Sequence, residues 1–170
     1  MAIARGLGYI GLGIQAEKGT PAEPGFWVKF AEATSLTPSV EVEQFARMGS
    51  LYFPGDVFKQ KHVVSGSLTC HAWPKILGAL LVLWFGKETY AYEEESQSHK
   101  HEFTCAKSLP WFTLERAIEE KLFEQLIDAR LSKLEISGEE GTPIKLSAEL
   151  QALSSRVIDN PGRVPEYEED

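Results

Sequence analysis

Ile144-Lys145-Leu146-Ser147-Ala148-Glu149-Leu150-Gln151-Ala152 changes between apolar and polar at every step. Side chains on one face of a β-strand recur every second residue, so this stretch predicts a strand over 143–153. Ile144, Leu146, Ala148, Leu150 and Ala152 take one face, and Lys145, Ser147, Glu149 and Gln151 the other. Upstream, Ser137-Gly138-Glu139-Glu140-Gly141 is a turn-forming stretch. Before it, 130–137 alternates again, with Leu134 and Ile136 expected inward and Lys133 and Glu135 outward. Two alternating runs around a short turn predict a β-hairpin.

The same period dominates the middle of the chain. A second pair spans 38–45 and 61–72. Val40 and Val42 share a face against Glu41 and Glu43, while Val64, Leu68, Cys70 and Ala72 oppose Lys61, Ser65, Ser67 and Thr69. Between them lies a long loop, 46–60, containing Leu51-Tyr52-Phe53-Pro54-Gly55 and Phe58. Long loops in compact domains are usually functional or disordered. Large apolar side chains in such a loop make it a candidate contact with another subunit. Residues 26–34, 99–107 and 110–118 supply further strands. The run 74–85 is apolar on every side. Pro74 suits a first helical turn, so a single buried helix packed on a sheet is expected there. Residues 114–131 fit two periods at once. Leu114, Ile118, Leu122, Leu126 and Ile127 also fall near one helical face, and propensity alone leaves helix and strand open.

The chain has 170 residues, enough for one domain with a sizeable core. We divide it into an N-terminal arm over 1–25, a β domain over 26–154 and an acidic tail over 155–170. The arm is rich in glycine; the tail ends in a Glu166 to Asp170 cluster and reads as flexible and solvated. The formal charge of −8 makes a poor phosphate binder, because nucleic-acid affinity rests on Lys and Arg. The same charge is unsuited to an anionic membrane surface. The opening residues lack a continuous apolar segment, so no signal peptide is read. The longest apolar run, Ile76 to Phe85, is shorter than the roughly 20 residues a membrane-spanning helix needs.

Each constellation that suggests chemistry has a plainer explanation. Cys70, His71, His99, His101 and Cys105 are the right types for zinc, but no C-x2-C or H-x3-H spacing is present. Two cysteines make no disulfide framework, and both are expected to be reduced and buried. Ser65-Gly66-Ser67 lacks the G-x-S-x-G pattern of a nucleophile turn. Carboxylates at Glu41/Glu43, Glu93 to Glu95, Glu119/Glu120 and Glu139/Glu140 suit solvated faces and turns better than a glycosidase pair. Gly6, Gly8, Gly11 and Gly13 lack the context of a phosphate loop. The reading is therefore a non-enzyme with no cofactor and no metal.

Four stretches together resemble the tail tube (major tail) proteins of long-tailed bacteriophages of the siphophage type. They are Gly11-Leu12-Gly13-Ile14-Gln15-Ala16-Glu17-Lys18-Gly19-Thr20-Pro21; Val63-Val64-Ser65-Gly66-Ser67-Leu68 running into Pro74-Lys75-Ile76-Leu77; Trp111-Phe112-Thr113-Leu114-Glu115-Arg116; and Ala129-Arg130-Leu131-Ser132-Lys133-Leu134-Glu135-Ile136-Ser137. Order and spacing carry the likeness, which spans nearly the whole chain. It implies a mainly-β, tail-tube-type sandwich or barrel with one flanking helix over about 74–85. It further implies strands at 110–118 and 130–137 with a short irregular stretch between. Glu119 to Ala129 departs from the pattern by being more helical.

Functionally, the resemblance implies hexameric rings stacked into a hollow tube for DNA passage, without specific DNA binding or membrane contact. Partners would be further copies of the chain, a tape measure protein, a tail terminator and baseplate or distal tail proteins. The tube would belong to the virion and assemble in the bacterial host cytoplasm. Glu41, Glu43 and Lys61 are the expected lumen residues. Gly19, Thr20, Arg47, Leu51, Tyr52, Phe53 and Phe58 are the expected subunit or ring contacts. The alternatives are a related ring-forming part, such as a terminator or secretion-tube protein, and a β-barrel that binds a small ligand.

Overall fold

The computed structural model describes residues 8–28, 31–44, 57–94, 97–118 and 121–167. Among these described residues, nine strands and one helix follow in chain order: β1 Ile10–Ile14, β2 Phe26–Trp27, β3 Ala31–Gln44, β4 Val57–His71, α1 Pro74–Phe85, β5 Gly86–Glu93, β6 Ser98–Cys105, β7 Phe112–Ile118, β8 Leu122–Ser137 and β9 Lys145–Ile158. Seven strands form one antiparallel sheet in the order β2-β1-β7-β8-β9-β4-β3, and β5 pairs with β6 in a separate hairpin. The fold is mainly β with one flanking helix, as the sequence implies. The large sheet is open, with β2 and β3 at its two edges.

The 143–153 alternation is realised in β9. Leu146, Ala148, Leu150 and Ala152 are buried in the core with Val64, Leu68 and Cys70 of β4 and Phe112 and Leu114 of β7. Each of the leucine, valine and phenylalanine side chains contributes about 1.5–3 kcal/mol by leaving water, and each alanine methyl less. The ends of the β8–β9 hairpin differ from expectation. Ile136 and Ile144 are 54% and 53% exposed, because the hairpin runs past the part of the core that α1 covers. Helix α1 begins with Pro74 at its first turn and ends at Gly86, whose left-handed backbone (φ 91°) returns its N–H to Val82 O. Ile76, Ala79, Leu80 and Leu83 are buried, whereas Leu77, Leu81, Val82 and Trp84 are only partly so. The helix is therefore half-buried, not enclosed, despite being apolar all round.

The ambiguous 114–131 region is β-structure. Strands β7 and β8 pair from Phe112↔Ala129 to Ile118↔Leu122, so 122–129 is strand rather than an irregular connection. Its misleading pattern has a physical cause. Both faces of β8 are buried here, Phe123, Gln125 and Ile127 on one and Leu126 and Ala129 in the core, so no clean alternation survives. Strand 26–34 splits into β2 and the start of β3. Strand β3 is longer than expected, and Pro38 is tolerated because β3 is an edge strand. Strand β4 starts at Val57, which shortens the connection read as 46–60; the residues before Val57, namely 45–56, lie outside those described. Strand β5, which pairs with β6 in the separate hairpin, has no counterpart in the strands expected from the sequence.

Within 1–25, β1 is a sheet member, with Ile10 and Leu12 in the core and Ile10–Ile14 paired to Arg116–Phe112. Its glycines answer a crossing segment. A Cβ on Gly11 would stand 2.6 Å from Pro24 Cβ, and one on Gly13 would collide with the backbone oxygen of Glu23. Within 155–170, β9 continues through Ile158.

Candidate functional site: a polar sheet face and an apolar helix groove

The sheet face turned away from the core divides into a covered half and an open half. Over β1, β7 and β8 it is polar and buried. Glu115 has no exposed surface; Thr113, Gln15, Gln125 and Asp128 are also buried. Two segments close over them. Residues 15–25 cross first: Gly19 N–H donates to Asp128 Oδ1 at 2.6 Å, Ala22 N–H to Thr113 Oγ1 at 3.0 Å, and Gln15 Nε2 to the same hydroxyl at 3.1 Å. Asp128 sits at a strand irregularity with φ 57°, a left-handed conformation that aspartate tolerates better than most residues. Gly19 itself has φ 87°. Expected contact residues Gly19 and Thr20 thus lie on a turn held by this chain's own Asp128, with both residues exposed.

The C-terminal segment crosses next. Tyr9 Oη donates to Glu115 Oε1 at 2.6 Å, and Gln125 Nε2 approaches Oε2 at 3.4 Å. Arg163 Nε stands 3.5 Å from Glu115, while its Nη1 donates to Glu23 at 2.9 Å. Arg156 donates twice to Gln125 Oε1, at 2.9 and 2.7 Å. The buried carboxylate is thereby neutralised and hydrogen-bonded, as a buried charge must be. Burial, then the hydrogen bond to Glu115, pushes the Tyr9 phenol well above its ordinary value. No local pattern of residues signals this network. Glu115 alternates with Phe112 and Leu114 as a solvent-facing residue would, and it is buried only by segments read as arm and tail.

Over β8, β9 and β4 the same face is open. Ser65, Gly66, Ser67, Ser132, Glu149 and Gln151 line a shallow depression of about 320 Å³. Lys133 lies 3.0 Å from Glu135 and 3.8 Å from Glu149, so one exposed cation answers two carboxylates. The hydrogen bond that Lys133 donates to Glu135 raises the lysine's pKa. Beyond this face, backbone pairing runs on to β3: Ser65 pairs with Thr37, Ser67 with Ser35, and Glu41 with Lys61, while Glu43 pairs with Phe58 across an irregularity between Glu41 and Val42. Glu41, Glu43, Lys61 and Phe58 are thus placed by backbone register. Arg47, Leu51, Tyr52 and Phe53 lie outside the described residues.

A second surface is apolar. Leu77, Gly78, Leu81 and Val82 of α1, with Phe103 of β6 and Ile14 of β1, line an open groove of about 510 Å³. The β5–β6 hairpin forms one wall. On it, His101 Nδ1 lies 2.6 Å from Glu88, and Tyr90 Oη lies 2.6 Å from His99 Nδ1.

The residues weighed for zinc are spread over these surfaces. Cys70 is in the sheet core and His99 and His101 are on the exposed hairpin; no group of three or more His, Cys, Asp or Glu is placed to hold a metal among the described residues. Burial pushes the Cys70 thiol up to about 11. Cys105, expected to be buried, is exposed because it ends β6 on the solvent-facing hairpin. No described helix is long and apolar enough to cross a membrane.

No protein-family model and no curated protein matches the chain. Solved structures do. A chain of the anti-feeding prophage baseplate is 12% identical, with a TM-score of 0.56, covering 95% of this chain and 98% of its own. A chain of the sheath–tube complex of an extracellular contractile injection system is 10% identical, with a TM-score of 0.51, covering 93% and 92%. A chain of the SPP1 tail tube is 11% identical, with a TM-score of 0.50, covering 88% and 76%. At this identity the likeness speaks to architecture, and it extends along nearly the whole molecule: the chain has the tail-tube-type fold seen in phage tails and contractile injection systems.

Proposed function

We propose that this chain is a non-enzymatic structural subunit of a siphophage-type tail tube. Six copies form a ring, and rings stack into a hollow tube through which DNA passes. The observation that carries this reading is the open polar face over β8, β9 and β4, next to which β3 is the edge strand of the sheet among the described residues. An unpaired edge is a template for pairing with another chain, and closing a ring removes that liability. Joining sheets edge to edge would bring these polar faces together as one continuous wall. Serines, glutamine and carboxylates with few unanswered cations make a wall to which phosphates do not adhere.

In this arrangement Glu41, Glu43 and Lys61 face the lumen. Gly19, Thr20, Arg47, Leu51, Tyr52, Phe53 and Phe58 contribute to subunit or ring contacts. A tape measure protein occupies the bore during assembly in the host cytoplasm, and a terminator and baseplate or distal tail proteins cap the ends in the virion. Negative-stain microscopy of the purified chain at rising concentration tests the proposal. Hollow tubes of constant diameter are the expected result; a chain that stays monomeric at every concentration refutes it.

A further inference from the structure

We infer that the groove between α1 and the β5–β6 hairpin is the socket for segment 51–53 of a second copy of this chain. The inference rests on the assembly reading above and names the partner surface that reading leaves open. Three observations support it. First, the socket is built but unfilled. Helix α1 is apolar all round yet leaves Leu77, Leu81 and Val82 partly uncovered along a groove of about 510 Å³. Its other wall is a two-stranded hairpin whose residues are nearly all exposed. Isolated two-stranded hairpins are marginal in water and gain from packing against something else.

Second, the chain carries a plug of matching chemistry. Leu51-Tyr52-Phe53 is three consecutive large apolar residues in the connection between β3 and β4. Third, the plug cannot fill its own socket. The connection joins the sheet at Val57, and β4 then runs 15 residues to His71, shortly before the helix begins at Pro74. At about 3.3 Å per residue that is roughly 46 Å along the strand. The connection, 45–56, can extend from its strand ends by half its length, about 21 Å at full stretch. The sheet order adds to the separation: β1 and β2 at the groove lie at one end of the sheet, and β3 and β4 at the other. Plug and socket at opposite ends of one subunit make a heterologous contact, which closes into rings or propagates as a filament.

Thiol crosslinking reads this contact directly. In a Cys105→Ser background, Ser50→Cys flanks the plug and Gly78→Cys enters the groove, where a Cβ meets open space. A short bismaleimide is then added to assembled protein. The double variant should give a ladder on a denaturing gel that runs past the dimer, and neither single variant should. Dimers from Gly78→Cys alone would mean that grooves meet each other, and would overturn the inference. Tubes that yield no ladder would overturn it while leaving the assembly proposal standing. A Cys105→Ser parent that forms no tubes at any concentration would overturn both. As a second arm, Leu81→Asp should leave the circular dichroism spectrum unchanged and abolish tubes; normal tube formation by that variant refutes the socket.

Discussion

Truncating Glu115 to alanine should destabilise the subunit by about 3 kcal/mol. Its carboxylate accepts the Tyr9 hydroxyl at 2.6 Å, and a hydrogen bond to a charged group is worth about 1.5–3 kcal/mol. The Gln125 amide, at 3.4 Å, adds less, roughly 0.5 kcal/mol. The ion pair with Arg163 adds little, because that guanidinium is partly exposed and keeps Glu23 as a partner. For a domain of this size, 1 kcal/mol moves Tm by about 2–4 °C, so the expected fall is about 6–12 °C. Thermal melts of dilute, unassembled protein followed by circular dichroism supply the number, and urea melts supply an independent one. A cycle with Tyr9→Phe should show a coupling of about 1–2 kcal/mol between the two positions. A Glu115→Ala chain that melts within about 2 °C of the parent would refute the claim that this buried network fastens the covering segments to the sheet.

Further outcomes follow from the same geometry. Tyr9 is an acid whose folded pKa is raised, so the folded state holds its proton longer than the unfolded one; stability is intact below about pH 10 and falls above it, and Tyr9→Phe should flatten that alkaline decline in pH-dependent melts. Maleimide labelling followed by mass spectrometry should modify exposed Cys105 in the native chain and leave Cys70 unmodified until the protein is unfolded; equal rates at the two would contradict the core placement of β4. Deleting 49–56 should leave a folded monomer, by circular dichroism and gel filtration, that forms no tubes; unchanged tubes would remove that segment from assembly.

Legibility in the sequence tracked how each face is covered. Strand β9 was readable because one face meets the core and the other meets water, and β4 was readable for the same reason. Helix α1 was readable from Pro74 and its composition, but nothing local told that only one side would be packed. The β7–β8 pair was ambiguous because it is buried on both faces, which erases the period that marks a strand. Glu115 was invisible as a buried residue. Its burial depends on Ala22–Glu23 and Arg163, distant in sequence and contributed by segments with no regular pattern. Isolated apolar residues at hairpin ends misled in the opposite direction: Ile136 and Ile144 fit the alternation of their strands, but the core stops short of them. The polar face was legible at Ser65 and Ser67, which alternate with buried Val64 and Leu68, whereas Glu41 and Lys61 are placed by backbone register alone.

The most direct test of the tube account is a helical cryo-EM reconstruction of whatever the purified chain assembles into. The account requires stacked six-fold rings with Ser65, Ser67, Glu149 and Gln151 lining the bore. Rings or filaments that carry this face on the outside, or bury it between subunits, would contradict it.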